Sequence, residues 1–420
     1  MTAMAMDRSS APAADRLPRL LLEAGADGGA AGHRHRHGPV PLRGGTGLLL
    51  PTLDAAGLTG RGGAGFPAGR KWRAVAAGSG SSVVVANAAE GEPASSKDAV
   101  LLTSNPHLVL DGLLLAAEAV GARRTVLFVP PDRAVRSAVG AAMRERRDTR
   151  RVQVVEAPDR FVAGEESAVV DAVEGGPGLP RSTPPRVFER GVDGRPTLVQ
   201  NVETLAHVAL VARYGADWFR AVGTADEPGS LLTTVTDAGG RWVAEVAHGT
   251  ALGSVVDLSG DVQAVLVGGY HGSWLSAAAA RGADLSRRSL GTWGASPGAG
   301  VLVALPGSAC GVVETARVAL YLAADSAGQC GPCLNGLPRI ALVLEELARG
   351  RAGREDLDDL SRWAGLVEHR GACRHPDGTV RFVRSALQVF DAEVRAHLAG
   401  HCRRTDDRPV LPVPDTGGRL

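Results

Sequence analysis

A glycine-rich segment, residues 60–72, has the residue types of a phosphate-binding loop. A backbone with so few side chains approaches an anion closely and directs N–H groups at it. Lys71 adds a compact positive charge, and with Lys97 it is one of only two lysines among 46 basic residues. Because arginine has replaced lysine elsewhere, we interpret both positions as ones where a planar guanidinium cannot replace an ammonium group.

A second group of polar residues follows a predicted buried strand. Residues 82–86 form a β-branched run that leads into Asn87, Glu90 and Glu92. Polar side chains at the end of such a strand are placed as in the nucleotide site of an open α/β sheet. Lys97 opens the helical segment that follows and is predicted to belong to the same region.

Two adjacent carboxylates, Glu165 and Glu166, stand in the predicted first turn of a helix. Acidic residues there stabilise a helix through its dipole by up to about 1 kcal/mol and need no further role. Asn201, at the start of a later helix, either caps that helix or binds a ligand. The residues alone leave both alternatives open.

The cysteines favour metal or redox chemistry over a disulfide framework, because five are few for 420 residues and Cys330 and Cys333 form a Cys-x-x-Cys pair. Cys373 follows some forty residues later. These thiols are alternatively relics of a packed loop, or a thioredoxin-type dithiol, for which a helical bundle is the wrong setting. The tract at 33–37 is predicted to be an exposed basic tail rather than a metal site.

The elements that must position these residues alternate in the first half of the chain and so predict a parallel sheet. The predicted strands are 82–86, 125–129 and 152–155, and the predicted helices are 106–121 and 132–147. A β-rich module follows, with strands at 231–236, 242–246 and 264–267 and a helical piece at 251–258. Four helices then predict a small bundle, at 311–324, 335–349, 354–367 and 380–399.

The predicted organisation therefore has five parts: a flexible basic tail (1–45), an α/β domain (46–226), a β module (227–306), a helical bundle (307–402) and a second tail (403–420). A net charge of +1 argues against nucleic acid or an anionic membrane as partner. Neither the apolar core of a signal peptide nor a run of 18 apolar residues occurs, which predicts a cytoplasmic protein without a membrane span.

Several motifs agree in order and spacing with one family. The sequence resembles the NADH-binding flavoprotein subunit of respiratory complex I and related diaphorase subunits of NAD-linked hydrogenases and formate dehydrogenases. The resemblance runs from about Leu48 to His397. It rests on residues 60–72, 87–98, 164–166, 201–204 and 330–333. It implies a Rossmann-like domain for flavin mononucleotide (FMN), a soluble-ligand-binding β-grasp module and a helical bundle that holds a [4Fe–4S] cluster.

The resemblance also implies roles for single residues. Gly62, Gly63 and Lys71 would cradle the FMN, and Asn87, Glu90, Asn201 and Thr204 would bond the flavin. Glu165 and Glu166 would lie beside the nicotinamide as catalytic residues, and Glu92 and Phe66 would contact the dinucleotide. The remaining predicted cofactor contacts are Gly60, Arg61, Lys97 and Gly164. The implied reaction is hydride transfer from NAD(P)H to FMN, with electrons passed to a ferredoxin-like or thioredoxin-like iron–sulfur partner.

The cluster motif departs from the family pattern of Cys-x-x-Cys-x-x-Cys with a distant fourth cysteine. Ala327 stands where the first ligand belongs, ahead of Cys330, Cys333 and Cys373. Since a [4Fe–4S] cluster normally takes four thiolates, three cysteines allow a [3Fe–4S] cluster, a labile [4Fe–4S] cluster with a foreign ligand, or no cluster. The available substitutes are Cys310, Cys402, His369 and His375, which spacing does not rank.

Further departures affect the two substrates. Ala74 and Arg186 stand where the family stacks aromatic rings on adenine, which would weaken dinucleotide binding by roughly 1–3 kcal/mol per lost ring. Ala89 stands where the family usually has aspartate. These changes keep a second hypothesis open, in which the chain is an FMN-free scaffold or binding subunit of the same fold.

Overall fold

The computed structural model describes residues 13–402, 404–406 and 408–414. The first half contains four strands, β1 (Ser82–Asn87), β2 (Ala122–Val129), β3 (Val152–Glu156) and β4 (Thr197–Asn201). Its helices are α1 (Ala30–His37), α2 (Leu50–Ala56), α3 (Ala68–Ala76), α4 (Lys97–Ser104), α5 (Pro106–Ala119), α6 (Arg133–Arg144), α7 (Glu166–Val173) and α8 (Val202–Arg220).

The four strands form one parallel sheet in the order β3-β2-β1-β4. Helices shield it, so the valines of β1 are fully buried, as expected for a parallel sheet covered on both faces. In the pairing of β1 with β4, Asn87 lies opposite Asn201. The carboxyl ends of these neighbouring strands therefore bring both asparagines to one edge. The predicted mixed α/β class with a parallel sheet is confirmed.

The second part of the chain builds a mixed sheet of five strands in the order β6-β5-β9-β7-β8. Only β5 and β9 run parallel within it. The elements are β5 (Ser230–Asp237), β6 (Gly240–Ala247), β7 (Val262–Val267), β8 (Ser273–Ser276), β9 (Val301–Pro306), α9 (Ala277–Arg281) and α10 (Arg287–Gly291). The helical piece predicted at 251–258 is a single 3-10 turn, Leu252–Ser254.

Helices dominate the last part, as predicted: α11 (Gly311–Ala324), α12 (Leu337–Ala348), α13 (Arg354–Val367), α14 (His375–Val389) and α15 (Asp391–Leu398). The single helix predicted at 380–399 is two helices, which Phe390 separates. A π-helical turn, Pro332–Gly336, precedes α12 and contains Cys333. Such turns are rare and frequent at functional sites.

Part of the segment predicted as a tail over 1–45, including two residues of the histidine tract, packs into the fold. His33 and His37 on α1 are buried, and His33 Nε2 lies 2.7 Å from the Asp111 carboxylate on α5. Asp111 is itself buried and also pairs with Arg146 and Arg213. A buried carboxylate requires such partners, and this requirement holds the histidine tract inside.

Part of the C-terminal tail predicted from residue 403 also packs against the fold. Leu411 is buried, and its N–H donates to Glu314 Oε2 at 2.8 Å. Tyr270 donates its hydroxyl to the carbonyl of Pro412, which joins this segment to the second sheet. Among the described residues, no single helix is long and apolar enough to span a membrane; α4 and α5 meet the criterion only as a pair bent by 98°.

Candidate functional site

A cavity of about 600 Å³ opens at the carboxyl edge of the parallel sheet. Its walls come from the glycine loop, the ends of β1 and β4, the loop before α7, the loops flanking the second sheet, and the loop between α13 and α14. Most predicted site residues line it: Arg61, Gly62, Gly63, Asn87, Glu90, Glu92, Lys97, Gly164, Glu165, Asn201 and Cys373.

The other predicted residues lie outside the cavity lining. Phe66 is 47% exposed, has the Arg70 guanidinium 5.5 Å from its ring, and is not among the lining residues. Thr204 is buried and accepts the Arg61 N–H at 2.9 Å, so it holds the glycine loop from behind. Gly60 borders a smaller pocket beside Arg61. Two further pairs, Lys71 with Glu166 and Cys330 with Cys333, are described below.

Glycines make the walls of the cavity thin. A Cβ on Gly91 would lie 2.2 Å from the Phe161 carbonyl oxygen, and one on Gly164 would lie 2.8 Å from that of Ala89. Gly63 has φ +101°, a conformation that side chains disfavour. The loop after β1 and the loop before α7 therefore meet backbone to backbone, and glycine is needed where they touch.

The two asparagines at the sheet edge are held in fixed orientations. Asn87 Nδ2 donates to the Gly164 carbonyl at 3.0 Å, and its Oδ1 accepts the Ala89 N–H at 3.1 Å. Asn201 Oδ1 accepts the Glu203 N–H at 3.0 Å, so Asn201 caps α8 as the sequence allowed. Both amides also face the cavity, and the ligand alternative for Asn201 stays a prediction.

Lys97 lines the cavity, but two carboxylates already engage its ammonium group. Its Nζ lies 2.7 Å from Asp98 Oδ1 and 2.8 Å from Glu203 Oε2, all three side chains being buried. Burial lowers the pKa of Lys97, but Asp98, Glu203 and Glu90 outweigh burial, so that the pKa is raised overall. Arg61 Nε lies 3.9 Å from Glu203 on the other side. These charges form an internal network that supports the cavity wall.

Glu90 and Glu92 connect the loop after β1 to its neighbours. Glu90 accepts the Ala99 N–H at 3.3 Å, within the first turn of α4. Glu92 Oε2 accepts the Tyr270 N–H at 2.7 Å, which joins this loop to the second sheet. Burial raises the pKa of Glu92 from 4.5 to about 7, although the Tyr270 and Ala94 amides oppose the shift. Burial and Asp98 also raise the pKa of Glu90.

We expect Glu92→Gln to flatten the pH dependence of stability. A carboxyl group whose pKa is raised by folding stabilises the fold below its ordinary pKa of 4.5, and this contribution is lost as the pH rises through about 7. As the pH rises from 5 to 8, the free energy of unfolding of the variant should therefore increase relative to that of the wild type. Urea unfolding of both proteins across this pH range measures the difference. Glu355→Gln, on the exposed start of α13, is the control, and the same trend in both variants would contradict the assignment.

Glu165 and Glu166 have different environments despite their adjacency. Glu165 Oε2 accepts the N–H groups of Ser167 and Ala168 at 2.9 and 3.0 Å, so it caps α7 while lining the cavity. Glu166 is half exposed and pairs with Lys71, whose Nζ also donates to the Val199 carbonyl at 2.6 Å. The helix-terminus interpretation thus describes Glu165 in this structure, and its catalytic role stays a prediction.

The three predicted metal ligands converge beside the cavity. Burial is the main reason that the pKa of Cys333 is raised to about 12. The Cys330 thiol, to which Cys333 is hydrogen-bonded, adds to the shift. Ser326 hydrogen-bonds the same sulfur. Burial, Glu165 and Cys330 raise the pKa of Cys373, which also lines the cavity. Three thiols are therefore available for a cluster, and the methyl group of Ala327 supplies no fourth ligand.

Comparison with known proteins decides the family. Residues 53–210 match the model of the Nuo51 FMN-binding domain, and residues 314–397 match the NADH-ubiquinone oxidoreductase-F iron–sulfur binding region. An NADH-quinone oxidoreductase subunit of Streptomyces coelicolor is 30% identical over 376 residues, which cover 84% of this chain and 83% of that protein. The chain belongs to the Nuo51 family of NADH-quinone oxidoreductase subunits.

Two hydrogenase relatives in this comparison are longer than the chain. The HoxS subunit alpha of the NAD-reducing hydrogenase from Cupriavidus necator is 31% identical, and the chain covers 66% of that protein. A crystal structure of an NAD+-reducing [NiFe]-hydrogenase in the H2-reduced state matches with a TM-score of 0.77 at 33% identity, and the chain covers 63% of the matched polypeptide.

Membership in the Nuo51 family confirms the resemblance seen in the sequence. It favours the flavoprotein hypothesis over the scaffold hypothesis, because the FMN-binding and iron–sulfur regions both match. The sequence did not predict several residues that line the cavity, among them Asp98, His271 and Arg381. The segment 268–272, in which a histidine stands among glycines after a predicted strand, was a signal for the second of these.

Proposed function

We propose that the chain is a flavoprotein subunit that oxidises NAD(P)H through FMN and passes the electrons to an iron–sulfur partner. The observation that carries this proposal is the glycine-walled cavity at the carboxyl edge of the parallel sheet, where α/β proteins bind nucleotides. Its volume of about 600 Å³ lies within the range of ligand and cofactor pockets.

The residues present fit FMN. The exposed backbone of Gly62 and Gly63 offers N–H groups to a phosphate, and the amides of Asn87 and Asn201 offer donors and acceptors to a flavin ring. When bound, FMN would accept a hydride and release single electrons. The contribution of Thr204 is to hold the glycine loop through Arg61. Lys71 would reach a phosphate after leaving Glu166.

The part of the cavity wall that contains Cys373 is suited to electron transfer out of the flavin site. Cys373 lines the cavity and lies close enough to Cys330 for the Cys330 thiol to raise the pKa of Cys373. A cluster held by Cys330, Cys333 and Cys373 would thus adjoin the flavin. We propose a [3Fe–4S] cluster or a labile [4Fe–4S] cluster there, and a ferredoxin-like or thioredoxin-like iron–sulfur protein as the acceptor. The complexes named for the relatives support a partner of this class.

The finer fold assignment belongs to the same proposal. The α/β part (46–226) would be the Rossmann-like FMN domain, the five-stranded part (227–306) the β-grasp module, and α11 to α15 the cluster-binding bundle. Parallel β1 to β4, the mixed pairing of β5 to β9 and the match of residues 314–397 support these three assignments.

Lys71→Ala should weaken FMN binding at least tenfold, because a charge-assisted phosphate contact contributes about 1.5–3 kcal/mol. Glu166→Gln is the matched variant. It removes the carboxylate that pairs with Lys71, so FMN affinity should stay equal or increase. Fluorescence titration of the flavin-free protein with FMN measures both affinities.

Reduction of the bound flavin by NADH, followed at its visible absorption band, tests the reaction itself. A yellow protein that NADH bleaches supports the proposal. A colourless protein that cannot be reconstituted with FMN would instead establish the scaffold hypothesis. If Lys71→Ala binds FMN normally while NADH still bleaches the flavin, the function stands and the phosphate assignment of Lys71 is wrong.

A further inference from the structure

A second group of metal-ligating side chains lies where α11 begins and α15 ends. Cys310 precedes α11, His397 lies in the last turn of α15, and Cys402 follows that helix; one ligand atom from each falls within 4.8 Å of the others. Cys310 Sγ is 3.2 Å from His397 Nε2. Cys310 and His397 are buried, whereas Cys402 is exposed.

The imidazole of His397 is oriented as a metal ligand requires. Besides facing the thiol, the ring hydrogen-bonds backbone carbonyl groups of Leu347 and Ala348 at the end of α12. Metal-binding histidines almost always donate their second ring N–H to a carbonyl or carboxylate, which fixes the tautomer and presents the other nitrogen to the metal. A ring held in this way presents Nε2 to the Cys310 sulfur, with the Cys402 sulfur within 4.8 Å.

A carboxylate also lies beside the Cys310 thiol. Glu393, one turn before His397 on α15, places Oε2 3.1 Å from Cys310 Sγ. The same oxygen accepts the Gly311 N–H at 2.7 Å at the start of α11. Cys310, His397 and Cys402 thus come from three separate segments, and Glu393 lies beside the Cys310 thiol.

We propose that Cys310, Cys402 and His397 bind a single zinc ion, with a water molecule as the fourth ligand. Two thiolates and an imidazole are a preferred zinc set, and the edges of a tetrahedron around zinc are roughly 3–4 Å, close to the separations seen here. Binding releases two thiol protons, and the two thiolates then balance the charge of the ion. This zinc site does not depend on an iron–sulfur cluster.

Zinc at this point would tie the end of the chain's helical part to its beginning. The ligands join the N-terminus of α11 to α15 and to the segment after it, which residues 311–390 otherwise separate. The proposal assigns Cys310 and Cys402 to zinc and so removes both from the possible fourth ligands of the cluster at Cys330. It is independent of flavin binding.

The experiment uses the full chain purified from zinc-supplemented medium, with zinc and iron quantified in the same sample. We expect about one zinc per chain in the wild type and a loss of roughly tenfold or more in Cys402→Ser and His397→Gln. His401→Gln changes a neighbouring exposed histidine outside the cluster and should retain zinc. Cys330→Ala should lower iron and leave zinc unchanged.

Cobalt substitution supplies a second readout. Cobalt in place of zinc should give the intense visible bands and the sulfur charge-transfer band of a tetrahedral thiolate site, and Cys402→Ser should weaken the charge-transfer band. Since Cys402 is exposed, this variant is expected to fold even if changes at buried Cys310 prevent folding. Wild type without zinc and without these cobalt bands would overturn the proposal, as would a Cys310–Cys402 disulfide found by mass spectrometry in freshly isolated protein.

Discussion

Lys97→Met should destabilise the fold by about 3–5 kcal/mol, the range for removing one partner from a buried ion pair. Lys97 is the cation between Asp98 and Glu203, and the three side chains are at most 5% exposed. Without the ammonium group, two carboxylates would share a buried site at the edge of the cavity. Urea unfolding of the flavin-free protein, followed by circular dichroism, measures the loss.

The other lysine of the chain is the matched control. Lys71 pairs with Glu166, which is half exposed, so Lys71→Met should change the free energy of unfolding by at most about 1 kcal/mol. The two lysines therefore separate stability from binding: Lys97 should matter for folding and Lys71 for FMN. Equal losses of stability in the two variants would show that the network around Lys97 is not the buried support described above.

Ala327→Cys should raise iron content to about four irons per chain after anaerobic reconstitution, because a [4Fe–4S] cluster takes four thiolates. In the wild type, Cys330, Cys333 and Cys373 can hold three irons of a cuboidal cluster. We therefore expect three irons per chain, or four of which one is easily lost. Iron quantification and electron paramagnetic resonance, before and after reduction, distinguish the two cluster types.

Gln329→Cys is the control for this gain, since it adds a thiol to an exposed position of the same loop. It should leave iron content at the wild-type level. If wild type and Ala327→Cys both remain free of iron, the three thiols do not form a cluster site and electrons must leave FMN directly for a docked partner. If Gln329→Cys raises iron equally, the loop accepts a ligand at many positions and the family geometry is lost.

The sequence predicts well those elements that have a local pattern. The β-branched runs of β1 to β3 and the apolar periodicity of α11 and α13 are visible in short windows, and the structure has strands and helices there. Strand β4 has no such pattern, because its five residues follow a proline-rich loop and lead directly into α8. The burial of the histidine tract is not visible locally either, because Asp111, which holds His33, lies 78 residues away.

The same distinction applies to the site. Asn87 is predictable as a site residue because it ends a buried strand of a parallel sheet. For Asn201 the residues alone left helix capping and ligand binding open, and the family resemblance implied the second. The pairs Lys97–Glu203 and Lys71–Glu166 were not predicted, since 106 and 95 residues separate their members. In the structure both lysines pair with carboxylates, and their role as cofactor contacts stays a prediction. Local sequence identifies groups suited to a ligand, but tertiary packing decides which of them are free.

The cavity has walls from all three parts of the chain: the parallel sheet, the loops of the five-stranded sheet, and the loop before α14. A molecule that fills it touches every part at once, so its binding free energy also opposes their separation. The cofactor would then stabilise the association of the three parts in addition to its role in the reaction. Loss of flavin would loosen the joints between the parts, and the chain would be most open to proteases and to aggregation before its cofactor arrives.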